Sequence, residues 1–347
     1  MNKYSDKKIV WFPEKLGSFI SGDVTAPIYV RIKPTNRCSH SCSWCIYRPE
    51  FADMHDTCNN KDEIPTDKLI EILVDLHEIG VKAVTFSGGG EPLLHPGIER
   101  AMEFCIGNSL NYSFITNGQN MKGMVAGLMA YASWIRVSMD YWDEESFVKS
   151  RGISGKFFTQ IIQNISHMST IKDKECDLGV NFIVTKENYR HLEEVVRLLK
   201  AIGVENVRFS PLWTKEFKEY HFLISSEVKW KIKECLTLQT DTFKVYSSYN
   251  LDHLSERPYT KCYMNQVVPV IGADLNIYTC HNGAYQPNHI IGSIKDKLFS
   301  EVWFSPETRE LFNAFDPCTT CNNMQCASDN KNILIRDILD CKNDNFI

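Results

Sequence analysis

From about residue 28 to residue 211, short β-rich runs alternate with longer amphipathic stretches. Apolar and β-branched residues gather over 28–32, 83–87, 112–116, 134–139, 179–185 and 206–210. These runs are too short for helices and are bounded by polar or glycine positions, so they predict six strands. Between them apolar positions recur at helical spacing. In 67–79, for example, Leu69, Ile72, Leu73 and Leu76 share one face, and 98–105, 121–131, 157–168 and 192–202 follow the same rule. Gly80, Gly107 and Gly203 fall just past the first, second and fifth of these helices, where a C-cap favours a residue tolerant of left-handed backbone. Strands alternating with helices predict an α/β fold with a parallel sheet, open or curled into part of a barrel.

Folds of this kind build their sites from loops at the C-terminal ends of strands. Polar and glycine-rich residues gather there: a cysteine loop after the first strand, Gly88, Gly89, Gly90 and Glu91 after the second, Asn117 and Gly118 after the third. Asp140, 186–188 and 211–213 follow the other three. The pattern changes after about residue 245. There 267–271 and 275–279 flank Gly272, Ala273 and Asp274 as a hairpin, and cysteines return at intervals to Cys341. The expected division is a partial barrel with a short N-terminal extension over 1–245 and a small metal-stapled domain over 246–347, since so short a segment gains stability from ligands.

Composition narrows the function. Hydrophobic content of 43% and charged content of 23% predict a packed core rather than disorder. A formal net charge of −5 gives no long-range attraction to nucleic acid or an anionic membrane, and no apolar run is long enough to span a bilayer. Without a secretion signal at the N-terminus, a soluble cytoplasmic protein is expected. Its thirteen cysteines are odd in number and clustered: Cys38, Cys42 and Cys45 in one group, Cys318, Cys321 and Cys326 in another. In a reducing compartment, clustered thiols point to metal rather than to disulfides.

In Cys38-x3-Cys42-x2-Cys45, three thiolates can wrap one metal centre while leaving it a ligand short, the mark of a site that does chemistry. A zinc site completed by His40 or a distant cysteine is the alternative. The segment Arg37 to Tyr47 (RCSHSCSWCIY) resembles the radical S-adenosylmethionine superfamily in its CxxxCxxC motif, and the resemblance extends over nearly the whole chain. It implies a partial (β/α)6 TIM-like barrel and a 4Fe–4S cluster on Cys38, Cys42 and Cys45. The fourth iron would bind the amino and carboxylate groups of S-adenosylmethionine. Trp44 would lie near the adenine, and Tyr47 would offer backbone groups to its edge. In Gly88–Gly89–Gly90–Glu91–Pro92, adjacent glycines permit close backbone approach and Glu91 offers an acceptor to an ammonium group. The run resembles the family's GGE motif, which holds the methionine amino group; a tight turn is the bland alternative. Asn117, Ser138 and Asp140 match ribose-contacting positions, or serve only as turn formers and caps. Arg151 resembles the family arginine that pairs with the methionine carboxylate, a role suited to a planar fork, with a solvated surface charge as its alternative.

Cys262-x17-Cys280 followed by Cys318-x2-Cys321 resembles the twitch domain, the shorter relative of the SPASM domain. It implies one auxiliary 4Fe–4S cluster on those four residues; a zinc ribbon would use the same thiolates. The sequence departs from the full SPASM pattern, leaving Cys326 and Cys341 over. Three roles are open to that pair: ligands of an incomplete cluster, a hydrogen donor, or inert thiols. Cys58, Cys105, Cys176 and Cys235 read as ordinary thiols.

The resemblance implies reductive cleavage of S-adenosylmethionine with an electron from a donor such as flavodoxin or ferredoxin. The resulting 5′-deoxyadenosyl radical abstracts a hydrogen atom from substrate. The single auxiliary site leads us to expect an oxidoreductase acting on a small polar, sugar- or cyclitol-like molecule, or an epimerase if a thiol quenches the radical. A peptide-modifying or protein-maturing enzyme is the rival. Fewer than thirty residues precede the first expected strand, too few for a peptide-binding winged helix. A non-enzymatic zinc or iron–sulfur module is the alternative from another class. Loops 49–64, 211–220 and 281–288 are candidates to line the substrate pocket, with Trp213, Tyr220 or Tyr285 as packing surfaces; ordinary surface loops are the alternative.

Overall fold

All six expected strands form: β1 (Tyr29–Ile32), β2 (Ala83–Phe86), β3 (Asn111–Thr116), β4 (Trp134–Ser138), β5 (Asp177–Val184) and β6 (Asn206–Pro211). The computed structural model describes residues 5–47, 58–214, 216–249, 251, 257–321 and 326–341. A seventh strand, β7 (Lys244–Ser247), pairs in parallel with β6, so the division expected after residue 245 falls inside it. It escaped the sequence pattern because it is four residues long and only Val245 is buried. The C-terminal hairpin forms as β8 (Val270–Ile271) and β9 (Asn276–Tyr278), joined by β10 (Ile290–Ser293). Its place was not foreseen. β8 pairs in parallel with the free edge of β1, giving one ten-stranded sheet in the order β10-β9-β8-β1-β2-β3-β4-β5-β6-β7. The C-terminal segment therefore flanks the cysteine loop that follows β1.

The expected helices appear as α2 (Thr66–Glu78), α3 (Ile98–Gly107), α4 (Gly123–Met129), α6 (Lys156–Ile171) and α7 (Leu192–Ala201). Others accompany them, among them α1 (Pro13–Ser21) near the N-terminus and α5 (Glu144–Arg151) between β4 and α6. Being eight residues long with Phe147 as its one buried aromatic, α5 shows no apolar period. Its ends carry the information instead: an Asp143–Ser146 capping box and Gly152 at φ 63°. Gly80 and Gly203 take the left-handed caps expected of them, at φ 87° and 80°. Gly107 does not. It is the last residue of α3, and Ser109 makes the left-handed turn at φ 55°, letting Leu110 N–H reach Cys105 O at 3.0 Å.

Strand alternation sorts the two faces of the sheet. Val30, Ile32, Val84, Phe86, Phe114, Val137, Val180, Phe182, Val207 and Phe209 are fully buried in the core beneath the helices. The opposite, concave face carries Arg136 and Ser138 on β4, Asn181 on β5, Arg208 and Ser210 on β6 and Tyr246 on β7, all half-buried. One face is hydrocarbon; the other carries these polar side chains with Ile115 and Ile183 among them.

Candidate functional site

The cysteine loop leaves β1 and is held from three sides. Gly90 N–H donates to Thr35 O at 3.1 Å and Glu91 N–H to Arg37 O at 2.8 Å. From the end of α5, Arg151 O and Ser150 O accept from Ser41 N–H at 2.8 Å and Ser43 N–H at 3.2 Å. From the end of β3, Asn117 Nδ2 donates to Ser39 Oγ at 3.2 Å. Close approach requires each glycine of the run. A Cβ on Gly88 would lie 1.5 Å from Gly90 O, one on Gly89 2.0 Å from Asn36 Oδ1, and one on Gly90 2.1 Å from Arg37 O. What the glycines let approach is the chain leading into Cys38, and Glu91 is thereby registered against the cysteines.

Cys38, Cys42 and Cys45 share this loop, close enough for the charges of Cys42, Cys45 and Glu91 to act on Cys38. Cys38 Sγ accepts from His40 N–H at 3.5 Å and Cys42 Sγ from Arg151 Nη1 at 3.1 Å. Donors aimed at sulfur favour the thiolate, the form that ligates iron. Arg151 is only 4% exposed, so it is no solvated surface charge. Its Nη2 donates to Ser138 O at 2.8 Å and pairs with Asp140, which the Trp44 indole also faces. Burial pushes the Asp140 carboxyl up, while Arg151 and Trp44 oppose it. Asp140 Oδ2 and Arg151 Nε are nevertheless buried without a hydrogen-bond partner, the condition expected of polar atoms whose partner is a ligand.

Glu91 is buried beside them. Its Oε1 accepts from Thr116 Oγ1 at 2.6 Å and Leu93 N–H at 3.2 Å, and its Oε2 accepts from Asn117 N–H at 2.7 Å. A carboxylate has about four acceptor positions, so one on Oε2 is left for an ammonium group. Burial raises this carboxyl to about 7 against its hydrogen bonds. The donor set thus suits a thiolate-held cluster beside an amino acid's ammonium and carboxylate.

The Tyr47 side chain packs against Lys33, His281 and Tyr285. Its hydroxyl accepts from Lys33 Nζ at 2.6 Å and lies 3.4 Å from His281 Nε2, while the amine sits 3.9 Å from the ring centre. Lys33 is fully buried, and desolvation lowers its amine to about 7. Tyr285, expected as a pocket surface, is likewise fully buried and donates to Asn36 Oδ1 at 2.5 Å. Lys33 and Asn36 were not foreseen, whereas His281 opens the 281–288 loop expected at the pocket. For Lys33 a signal existed, a lysine immediately past β1 in step with Tyr29 and Arg31. Of the other loops, residues 49–57 and 215 lie outside the described residues. Trp213 is half-buried, and Tyr220 Oη accepts from Lys186 N–H at 3.2 Å.

The hairpin brings Cys262 and Cys280 within electrostatic reach of each other, and Cys321 within reach of both. Cys318 is exposed, its Sγ 3.5 Å from Tyr259 O. Cys341 is exposed and turns its thiol to Asp337 O at 3.3 Å. Cys105, Cys176 and Cys235 are buried in the core, and Cys58 packs beside Tyr47. Among the described residues no three His, Cys, Asp or Glu side chains converge at the spacing of a single metal ion. Four thiolates on one zinc would stand about 3.8 Å apart, closer than those on the corners of a four-iron core. None of the described helices is long and apolar enough to cross a membrane.

Residues 32–199, from the end of β1 to α7, match the Radical SAM superfamily. The chain belongs to that superfamily. Among relatives, the S-adenosylmethionine-dependent nucleotide dehydratase of Lacinutrix mariniflava is 28% identical over 161 residues, covering 44% of this chain and 32% of that protein. The match thus spans about a third of that relative's length. The PqqA peptide cyclase of Gluconobacter oxydans is 21% identical over 318 residues, covering 86% of this chain and 84% of that protein. Streptococcus suis SuiB bound to its precursor peptide SuiA superposes with a TM-score of 0.66 at 16% identity, covering 91% of this chain and 76% of SuiB. That likeness establishes the fold of this radical SAM protein, a partial barrel with a C-terminal extension.

Proposed function

We propose that this radical SAM protein abstracts a hydrogen atom from a small polar, sugar- or cyclitol-like substrate. Residues 246–347 would hold an auxiliary 4Fe–4S cluster that assists oxidation or epimerisation. When bound, the 4Fe–4S cluster and S-adenosylmethionine supply the 5′-deoxyadenosyl radical; the protein supplies orientation and exclusion of water. Cys38, Cys42 and Cys45 hold the cluster. Glu91 receives the methionine ammonium, Arg151 Nε its carboxylate, Asp140 Oδ2, Ser138 and Asn117 the ribose, and Trp44 packs at the adenine.

The observation that carries the substrate class is the concave face. Ser138, Asn181, Arg208 and Tyr246 stand in one register row across β4 to β7. Arg208 Nε donates to Ser248 Oγ at 3.2 Å, and Ser210 Oγ lies 2.9 Å from Ser248 Oγ and 3.0 Å from Asn181 Oδ1. A shelf of hydroxyl, amide and guanidinium groups at the level of Ser138 suits a polyhydroxylated molecule better than an apolar one. The match to a peptide cyclase over 86% of this chain favours a peptide as the second reading.

The test is 5′-deoxyadenosine formation by anaerobically reconstituted protein with dithionite, S-adenosylmethionine and panels of deuterated polyols or peptides. The proposal expects a polyol to stimulate product and pass deuterium to it, and Arg208→Leu to lose that stimulation while uncoupled cleavage persists. Stimulation and label transfer from peptides alone would overturn it.

A further inference from the structure

The sulfur environments of the C-terminal cysteines differ in kind. Cys280 Sγ accepts from Gly283 N–H at 3.3 Å, Cys262 Sγ from Asn332 Nδ2 at 3.7 Å, and Cys326 Sγ from Ser328 N–H at 3.3 Å. Cys318 meets the opposite arrangement. Its sulfur faces two carbonyl oxygens, Tyr259 O at 3.5 Å and Arg257 O at 3.9 Å, and it lies exposed. An N–H directed at sulfur stabilises a thiolate, whereas a carbonyl takes a hydrogen bond only from the protonated thiol. The grouping of charges agrees: Cys326 and Cys321 each interact electrostatically with both Cys262 and Cys280, and Cys318 with none of these four. Beside them Asn265, three residues after Cys262, is completely buried with Oδ1 and Nδ2 both lacking a partner, as expected where inorganic sulfide and ligand sulfur complete the shell.

From these observations we infer that the auxiliary cluster is held by Cys262, Cys280, Cys321 and Cys326, with Cys318 outside it as a free thiol. The inference rests on the auxiliary-cluster reading above and replaces one ligand of the set implied by the twitch resemblance. Each of the four thiols loses its proton on binding iron, and no oxidant or reductant is consumed in exchanging one cysteine for another. Cys318 and Cys321 lie in one short turn, Pro317–Thr320 with Cys321 as its C-cap. Of the two, Cys321 is the one within reach of Cys262 and Cys280.

The test uses the full chain carrying Cys38→Ala, Cys42→Ala and Cys45→Ala, which leaves only the C-terminal site, reconstituted anaerobically and read by iron and sulfide content and by electron paramagnetic resonance. Adding Cys318→Ala is expected to leave about four irons per chain, and adding Cys326→Ala to lose at least half of them or convert the signal to a three-iron type. A second measurement needs no substitution: in the reconstituted natural chain, iodoacetamide is expected to label Cys318 without chelator and Cys326 only after chelator removes iron. Full iron in the Cys326→Ala protein, iron loss in the Cys318→Ala protein, or iron-dependent protection of Cys318 would each overturn the assignment. No iron in the parent triple variant would instead remove the auxiliary cluster itself.

Discussion

Gly90→Ala probes the packing that sets Glu91 against the cysteine loop. The new Cβ would stand 2.1 Å from Arg37 O and 2.5 Å from Asn36 C, where ordinary contact begins at 3.4 Å. Both obstacles are backbone, so no rotamer relieves them, and the two segments must part by roughly 1 Å. That movement carries Gly90 N–H to Thr35 O and Glu91 N–H to Arg37 O, now 3.1 and 2.8 Å, to or beyond useful hydrogen-bond length. Two weakened bonds at about 1 kcal/mol each, with an overpacking cost of about 1–3 kcal/mol, predict a loss of about 3–5 kcal/mol. At about 2 °C per kcal/mol for a chain of this size, Tm falls by about 6–10 °C. Because the same movement separates Glu91 from Cys38, S-adenosylmethionine affinity is expected to drop at least about tenfold. Gly107→Ala is the control: its Cβ meets nothing within 4 Å and the residue is helical, so stability should hold or rise by about 0.5–1 kcal/mol. Calorimetry of the iron-free proteins and equilibrium dialysis of the reconstituted ones read the two effects. A Gly90→Ala protein that melts and binds like the parent would refute the packing account.

Glu91→Gln removes the charge offered to the ammonium, a bond of about 1.5–3 kcal/mol, so S-adenosylmethionine should bind about 10–150-fold more weakly. Since burial holds the carboxyl near 7, the parent's affinity should fall about tenfold per pH unit below that value, and a parent curve as flat as the variant's would contradict the assignment. The stability sign is opposite: a raised carboxyl contributes stability present below about 4.5 and lost as pH rises through about 7, a slope the glutamine lacks. Lys33→Met tests the buried amine. Its value, lowered from 10.5 to about 7, makes a stability contribution fully present above about 10.5 and lost as pH falls through about 7. The parent should therefore gain up to about 5 kcal/mol across that window relative to the methionine variant. Urea midpoints at pH 7 and 10 that move in parallel for the two proteins would refute it.

What the sequence by itself determined is local. Cys38, Cys42 and Cys45 lie within one loop, so their spacing alone keeps the three thiols together, and strands β1 to β6 announce themselves because each buries a run of adjacent or alternating apolar residues. Glu91 was legible for the same reason, as the acid that ends a glycine run. Tertiary structure decided whatever depends on partners distant in sequence. The glycines look like a ligand cradle until Asn36 and Arg37 are seen filling the space above them. Arg151 reaches Cys42 across 109 positions through a helix too short to show a period. The pairing of β8 with β1 is specified by two residues, yet it sets the C-terminal segment beside the cysteine loop and brings His281 to Tyr47. Cys318 and Cys326 are equivalent as letters. What separates them is whether an amide or a carbonyl faces the sulfur: Cys326 meets the amide of Ser328, two residues on, whereas the carbonyl of Tyr259 reaches Cys318 from 59 positions away.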